Sequence, residues 1–258
     1  MSTVVVTGGT GTLGREVVRH LVKDGHDVVV TSRSATPSVW DSARTVQVDY
    51  RSPGTLRTAF EGADAIVHCA TRVSGRRGGD VDLTGRVLDA ARHTGCGNLV
   101  YISIVGVDRI PLRYYRTKIE AERLIEDSGL PWTILRTTQF HQLVIRLLNA
   151  LTRPPLALVP DLSVQPIAAA EVGARLAELA TARPAGRVPD MGGPEILAVP
   201  DLARRYLEAI GRHRLVRPIR LFGSVYKGFR AGHHLAPANA SGTITFQEYL
   251  NARMRSPR

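Results

Sequence analysis

The opening stretch Met1–Gly14, MSTVVVTGGTGTLG, decides the fold: an apolar β-branched run, Val4 to Val6, enters a turn built on Gly8, Gly9, Gly11 and Gly14. The turn satisfies both Gly9-x-Gly11-x-x-Gly14 and Gly8-x-x-Gly11-x-x-Gly14. Such spacing is weak evidence in isolation. Here a strand precedes it and an amphipathic helical pattern follows, which is the context a phosphate-binding strand-to-helix turn requires. Backbone N–H groups unshielded by side chains can reach a pyrophosphate, and the helix N-terminus adds its positive end. Gly8, Thr10, Gly11, Thr12, Leu13 and Gly14 are therefore the expected cradle of a dinucleotide.

Working outward, the next apolar run ends in Thr31-Ser32-Arg33. At this strand end a carboxylate would accept the ribose 2′-hydroxyl of NAD, and none is present. The Arg33 guanidinium and Ser32 hydroxyl instead offer donors to a 2′-phosphate, which points to NADP(H). Asp49-Tyr50 follows the third strand and Ala70-Thr71 the fourth. By topology the first pair is expected near adenine and the second near ribose or nicotinamide. Ordinary loop polarity accounts for these four residues equally well.

Strand-like runs at Val4–Thr7, Val28–Thr31, Val46–Val48, Ala65–Cys69 and Leu99–Ser103 alternate with helical patterns at Leu13–Lys23, Gly54–Phe60 and Val81–His93. Helix Tyr114–Asp127 and strand Trp132–Arg136 add a sixth unit. Alternation at this spacing predicts right-handed crossovers and a Rossmann-type, doubly wound parallel α/β sheet. After residue 150 prolines multiply and strand signals thin out, leaving short helices at Ala168–Ala182 and Asp201–Ile210. The reading divides the chain into an NADP(H)-binding Rossmann domain, 1–150, and a small, mostly helical substrate-binding part, 151–258, packed on the first as one unit.

A chain of 258 residues, 43% of them hydrophobic, can bury a substantial core, which excludes gross disorder. No apolar run approaches the roughly 18 residues that span a bilayer, and Met1-Ser2-Thr3 lacks the basic region of a signal peptide. With only two cysteines, Cys69 and Cys96, the expectation is a cytoplasmic protein without a disulfide or a membrane partner. The net charge of +11 could suggest nucleic acid. Yet only three of the 34 basic residues are lysines, and the arginines are scattered among acids rather than clustered. A binding footprint needs clustering, so nucleic acid is not an expected partner.

The second constellation is Tyr114-Tyr115-Arg116-Thr117-Lys118. Tyr114 and Lys118 are four residues apart and share one helix face, which continues through the apolar Ala121 and Ile125. A lysine on a buried stripe needs a polar task. An ammonium near a phenol makes the phenol a usable acid or base near neutral pH. Ser103, at the end of the fifth strand, could orient a substrate carbonyl. A tyrosine that merely packs beside a snorkelling lysine is the competing explanation.

Thr7-Gly8-Gly9-Thr10-Gly11-Thr12-Leu13-Gly14, Ser103 and Tyr114-x-x-x-Lys118 together resemble the short-chain dehydrogenase/reductase superfamily. Tyr114–Lys118, Glu122, Ser128-Gly129-Leu130-Pro131-Trp132-Thr133-Ile134-Leu135-Arg136, Phe140, Val164-Gln165-Pro166-Ile167 and 186–194 resemble its atypical NmrA-like branch, over nearly the whole chain. The resemblance implies a Rossmann fold, NADP(H) and hydride transfer. Ser103 would orient the carbonyl, Tyr114 would be the acid/base, and Lys118 would hold the nicotinamide ribose. Typical members complete a proton relay with an asparagine, and helix Val81–His93 contains none.

Gln139, Phe140 and His141 follow the sixth strand and suit a substrate pocket, although packing explains Phe140 as well. His233-His234 lacks the companions of a metal site, so no metal is expected. Helix Leu221–Ala231 suits pocket lining better. The leading expectation is an NADPH-dependent reductase of a small carbonyl, quinone or conjugated substrate, as a monomer or homodimer. The alternative is a non-catalytic NmrA-like NADP(H)-sensing regulatory protein, which needs neither Tyr114 nor Lys118. A nucleotide-sugar epimerase is disfavoured by the short second part.

Overall fold

Val4, Val5 and Val6 are fully buried because their strand lies inside a parallel sheet covered on both faces. The computed structural model describes residues 1–33, 42–71 and 79–255. Its first half runs β1 (Thr3–Thr7), α1 (Thr12–Lys23), β2 (Asp27–Ser32), β3 (Arg44–Gln47), α2 (Pro53–Phe60), β4 (Ala65–His68), α3 (Gly79–Thr94), β5 (Asn98–Ile104), α4 (Arg113–Glu126) and β6 (Trp132–Thr137). There follow α5 (His141–Leu151), β7 (Leu156–Pro160), β8 (Ser163–Val164), α6 (Ala169–Thr181), β9 (Gly186–Arg187), β10 (Leu197–Ala198), α7 (Val199–Ala209), β11 (Leu215–Ile219), α8 (Ser224–Arg230) and α9 (Phe246–Arg255).

Among the described residues the main sheet has seven strands in the order β3-β2-β1-β4-β5-β6-β9. Val5 pairs with Val29 on one side and Ile66 on the other, both in parallel register. The order reverses direction at β1, and doubly wound sheets bind ligands beyond the strand ends at that point. The expected strand–helix alternation is thus present, with element ends shifted by one or two residues.

The chain separates into two compact units that interleave in sequence. One comprises Met1–Ser103, Arg113–Arg136 and Ala169–Pro189; the other comprises Ile104–Leu112, Thr137–Ala168 and Asp190–Arg258. The sequence reading divides the chain once, after residue 150. The difference has a physical cause. Helix α6 lies in the later half of the chain but packs on α1, where Gly173 comes so close that an added Cβ would stand 2.5 Å from Glu16 Cβ. Helix α6 and β9 therefore complete the sheet unit. The core of that unit packs Phe60, Leu56 and Leu88 from α2 and α3 against Val5, Val29, Ile66, Leu99 and Ile134 from the strands. Burying each such side chain contributes about 1.5–3 kcal/mol.

The second unit has its own core, in which Val144 and Leu148 of α5, Val159 of β7, Leu202 and Tyr206 of α7, and Phe246 and Leu250 of α9 meet. It contains four short strands, paired as β7 with β11 and β8 with β10. Two of these are only two residues long and flanked by prolines, which hides them from a periodicity reading. Helix α8 begins at Ser224, three residues later than the expected Leu221, because Gly223 enters it with φ of 101°.

Candidate active site

The glycine turn owes its shape to three close approaches. Gly8 has φ of +69°, and a Cβ there would lie 2.8 Å from the backbone of Ala70. A Cβ on Gly9 would meet Val30 Cγ1 at 2.7 Å, and one on Gly14 would meet Gly9 Cα at 2.7 Å. These glycines let β1, β2, β4 and α1 converge. Gly11 differs: a Cβ there would meet, among the described residues, only the Gly8 carbonyl oxygen, at 3.2 Å, and Thr10, Gly11 and Thr12 are exposed. Leu13 is buried. Helix α1 is preceded by Gly11 as its N-cap, with no side-chain cap bond and no acid in its first turn. Its terminal N–H groups and positive end are thus offered to an anion.

At the end of β2, Ser32 is buried and Arg33 is exposed. Tyr50 hydrogen-bonds Thr31 Oγ1 at 2.8 Å. Burial raises the Tyr50 phenol above its ordinary value, opposed by the Thr31 bond, the Gly8 backbone and the Arg33 charge, so its hydroxyl lies beside the turn. Asp49 is occupied locally: its carboxylate accepts from the Arg51 N–H at 2.9 Å and its carbonyl accepts from Thr55. Ala70 N–H donates to Thr7 Oγ1 at 3.3 Å, which ties the end of β4 to the turn.

Behind that bond lies a directed chain of hydrogen bonds. Thr84 Oγ1 donates to the Asp80 carbonyl at 2.9 Å, so His68 Nε2, 3.3 Å from Thr84 Oγ1, must be the donor to it. His68 Nδ1 then accepts from Thr7 Oγ1 at 2.7 Å. Burial, followed by the Lys118 charge, lowers the His68 pKa to about 3, so the ring is neutral.

Lys118 is 4% exposed, as its place on the apolar stripe foretold. Its Nζ donates to Tyr101 Oη at 3.0 Å and to the Ile102 carbonyl at 3.4 Å, and lies 3.6 Å from Asp80 Oδ2. Burial alone would lower its pKa, but Tyr101, Tyr114 and Asp80 outweigh burial and hold it above the ordinary lysine value. Tyr114, half-buried, reaches Thr71 Oγ1 at 3.2 Å, and Thr71 Oγ1 donates to Asp80 at 2.9 and 3.0 Å. The structure thus joins Thr71, Tyr114 and Lys118 in one cluster through Asp80. Ser103 is 1% exposed, and its Oγ has no hydrogen-bond partner among the described residues.

Sequence reasoning missed Asp80, Tyr101 and His68. One signal was available: a buried lysine requires a counter-charge, and Asp80 is the acid just before the expected start of α3. Tyr101 lies two residues before Ser103 on the same strand face.

The remaining candidates belong to the second unit. Gln139 Nε2 donates to the His234 carbonyl at 3.4 Å, and its Oε1 is buried without a partner. Phe140 bridges to Ile167. His141 is fully buried, stacked on Tyr249 with ring centroids 4.8 Å apart and bonded to the Ile244 carbonyl at 3.1 Å. His234 Nε2 is bonded to the Ser163 carbonyl at 2.9 Å. Among the described residues, no cluster of three or more His, Cys, Asp or Glu could hold a metal, and no helix is long and apolar enough to cross a membrane.

The chain and its fold have known counterparts. Quinone oxidoreductase 2 of Escherichia coli is 27% identical over 160 residues, covering 60% of this chain and 53% of that protein. The chain spans about half, or less, of the length of the curated relatives it matches. The NADPH complex of an NADPH-dependent quinone oxidoreductase from Escherichia coli superposes with a TM-score of 0.82 at 18% identity, over 98% of this chain and 100% of that one. A nucleoside-diphosphate-sugar epimerase from Staphylococcus aureus superposes with a TM-score of 0.80 at 17% identity, over 96% and 99%. These two likenesses establish the Rossmann-type fold. A family model described as NAD(P)H-binding matches residues 8–148, from the glycine turn through α5. The chain belongs to this NAD(P)H-binding family.

Proposed function

We propose that the chain is an NADPH-dependent reductase that passes hydride to a small carbonyl, quinone or conjugated substrate, with Tyr114 as the acid/base. One observation carries this reading: Lys118 is buried and charged within a cluster that includes the Tyr114 hydroxyl. Desolvating a lysine is costly, and its place in one cluster with a phenol hydroxyl suits proton transfer in addition to holding a ribose. The likeness to quinone oxidoreductase 2 supports the substrate class.

The turn fits the cofactor because Gly11 is open on its outer side and the start of α1, without a side-chain cap or an acid, leaves backbone N–H groups accessible to a pyrophosphate. Gly8, Gly11 and Gly14, with Thr10, Thr12 and Leu13, would hold the pyrophosphate. Arg33 would meet the 2′-phosphate, Asp49 and Tyr50 the adenine, and Ala70, Thr71 and Lys118 the nicotinamide ribose. NADPH supplies the hydride when bound. The chain's own residues orient and protonate: Ser103 Oγ, lacking an internal partner, donates to the substrate oxygen, and Tyr114 delivers the proton to it.

The test is NADPH oxidation against a panel of quinones and ketones. Tyr114→Phe should lower turnover at least about a hundredfold while NADPH affinity is retained. No turnover by the parent protein, together with tight NADPH binding, would transfer the assignment to a non-catalytic NADP(H)-sensing regulator. Arg33→Asp should weaken NADPH binding by about tenfold or more and leave NADH binding nearly unchanged. Equal losses would remove the NADP(H) preference.

A further inference from the structure

We infer that Asp80 is the positioning residue of this site: its carboxylate keeps Lys118 charged inside the protein and sets the direction of the Tyr114 hydrogen bond. The inference rests on reading Tyr114 and Lys118 as a functional pair. Asp80 is 3% exposed in the first turn of α3, and both of its carboxylate oxygens accept from Thr71 Oγ1, at 2.9 and 3.0 Å. A threonine hydroxyl has one proton. Thr71 spends it on Asp80, so at 3.2 Å Tyr114 must be the donor and Thr71 the acceptor. The Tyr114 hydroxyl is thereby aimed as a donor, the direction a general acid needs before it meets substrate.

The same carboxylate answers the charge of Lys118. The hydrogen-bond acceptors of Nζ, Tyr101 Oη and the Ile102 carbonyl, are neutral. The titratable groups facing it are Tyr101 from β5, Tyr114 from its own helix, His68 and Cys69 at the end of β4, and Asp80 from α3. His68 is neutral above about pH 3, and burial pushes the Cys69 thiol up to about 12. Asp80 is the one carboxylate in this set. Without it a desolvated ammonium would lose its proton far more easily than an exposed lysine does.

The chain has three lysines, and Lys23 and Lys227 are exposed, so the site can be observed directly. Lysine labelled with carbon-13 at Cε is followed by NMR across pH, with resonances assigned through Lys23→Arg and Lys227→Arg. In the parent protein Lys118 should stay charged above about pH 10.4, the ordinary lysine value. In Asp80→Asn it should titrate at least about two pH units below that value. If Lys118 titrates at or below the ordinary value in the parent, or if Asp80→Asn leaves it unmoved, the inference is overturned. The parent titration decides even if Asp80→Asn does not fold. NADPH affinity gives a second reading. It should fall about tenfold between pH 7 and 9 in Asp80→Asn, hold level in the parent, and hold level again in Asp80→Asn with Lys118→Arg, whose charge is permanent. A merely structural Asp80 would lower affinity equally at every pH. None of these measurements involves turnover, so they can succeed where the reductase reading fails. A parent that reduces quinones while its Asp80→Asn variant shows no shift would sink the inference alone.

Discussion

Lys118 and Glu122 lie one helical turn apart on α4, both buried, both charged, and held in opposite ways. Glu122 is fully buried, and its carboxylate receives two parallel bonds from Arg136, at 2.9 and 2.6 Å, plus one from Arg187 at 3.0 Å. Arg187 continues to Glu126 at 2.5 Å. Every partner here is ionic and bidentate geometry is complete, an arrangement suited to fastening α4 to β6 and β9. Among the described residues, Lys118 has neutral hydrogen-bond partners, Tyr101 Oη and the Ile102 carbonyl, and an acid 3.6 Å away, beyond hydrogen-bond reach. Its neighbours Thr71 and Tyr114 are in part open to solvent. One cluster closes its charges on each other. The other leaves a hydroxyl and an ammonium able to act on something else.

The contrast can be broken most forcefully at Glu122. Glu122→Ala removes the carboxylate that takes two bonds from the buried Arg136 and one from Arg187, and should cost about 3–5 kcal/mol of stability in urea unfolding. NADPH affinity of the remaining folded protein should be unchanged. A loss under about 1 kcal/mol would mean that water solvates Arg136 and that the cluster fastens nothing. Acid should attack the other cluster through His68. Its folded pKa, about 3, is depressed from an ordinary value of 6.5, so below pH 6.5 the unfolded chain gains a proton that the folded chain refuses. Stability contributed by the neutral ring is then complete above pH 6.5 and falls as pH drops toward 3, by up to about 1.4 kcal/mol per pH unit. His68→Gln should show a shallower loss over that window in unfolding measured at stepped pH; an unaltered slope would remove His68 from the account. The smallest effect belongs to Arg187→Ala. With 37% of its side chain exposed, Arg187 is screened, and its removal should cost about 1 kcal/mol or less.

How far the site was legible in the sequence follows the range of the interactions. Gly8, Gly11 and Gly14 could be read because a strand, a tight turn and a helix N-terminus are made by residues adjacent in the chain. Tyr114 and Lys118 could be paired because helical periodicity places them on one face. The burial of Lys118 followed from the apolar residues that continue its stripe. Asp80 is not legible there, because its partners Thr71 and Lys118 come from the segment after β4 and from α4, and pairing across elements leaves no periodic trace. Ser103 was singled out by position, yet its unpartnered hydroxyl is visible only once the surrounding strands are in place.

The same reasoning separates the fold. Alternating runs of β-branched and amphipathic residues determined by themselves the parallel strand–helix units and the dinucleotide turn, since each depends on contacts between residues close in the chain. The tertiary structure alone decided that α6 and β9 return to the sheet unit, that the later strands pair, and that Lys118 faces Asp80. These depend on contacts between residues far apart in the chain, whose distances are set by packing and not by spacing in sequence.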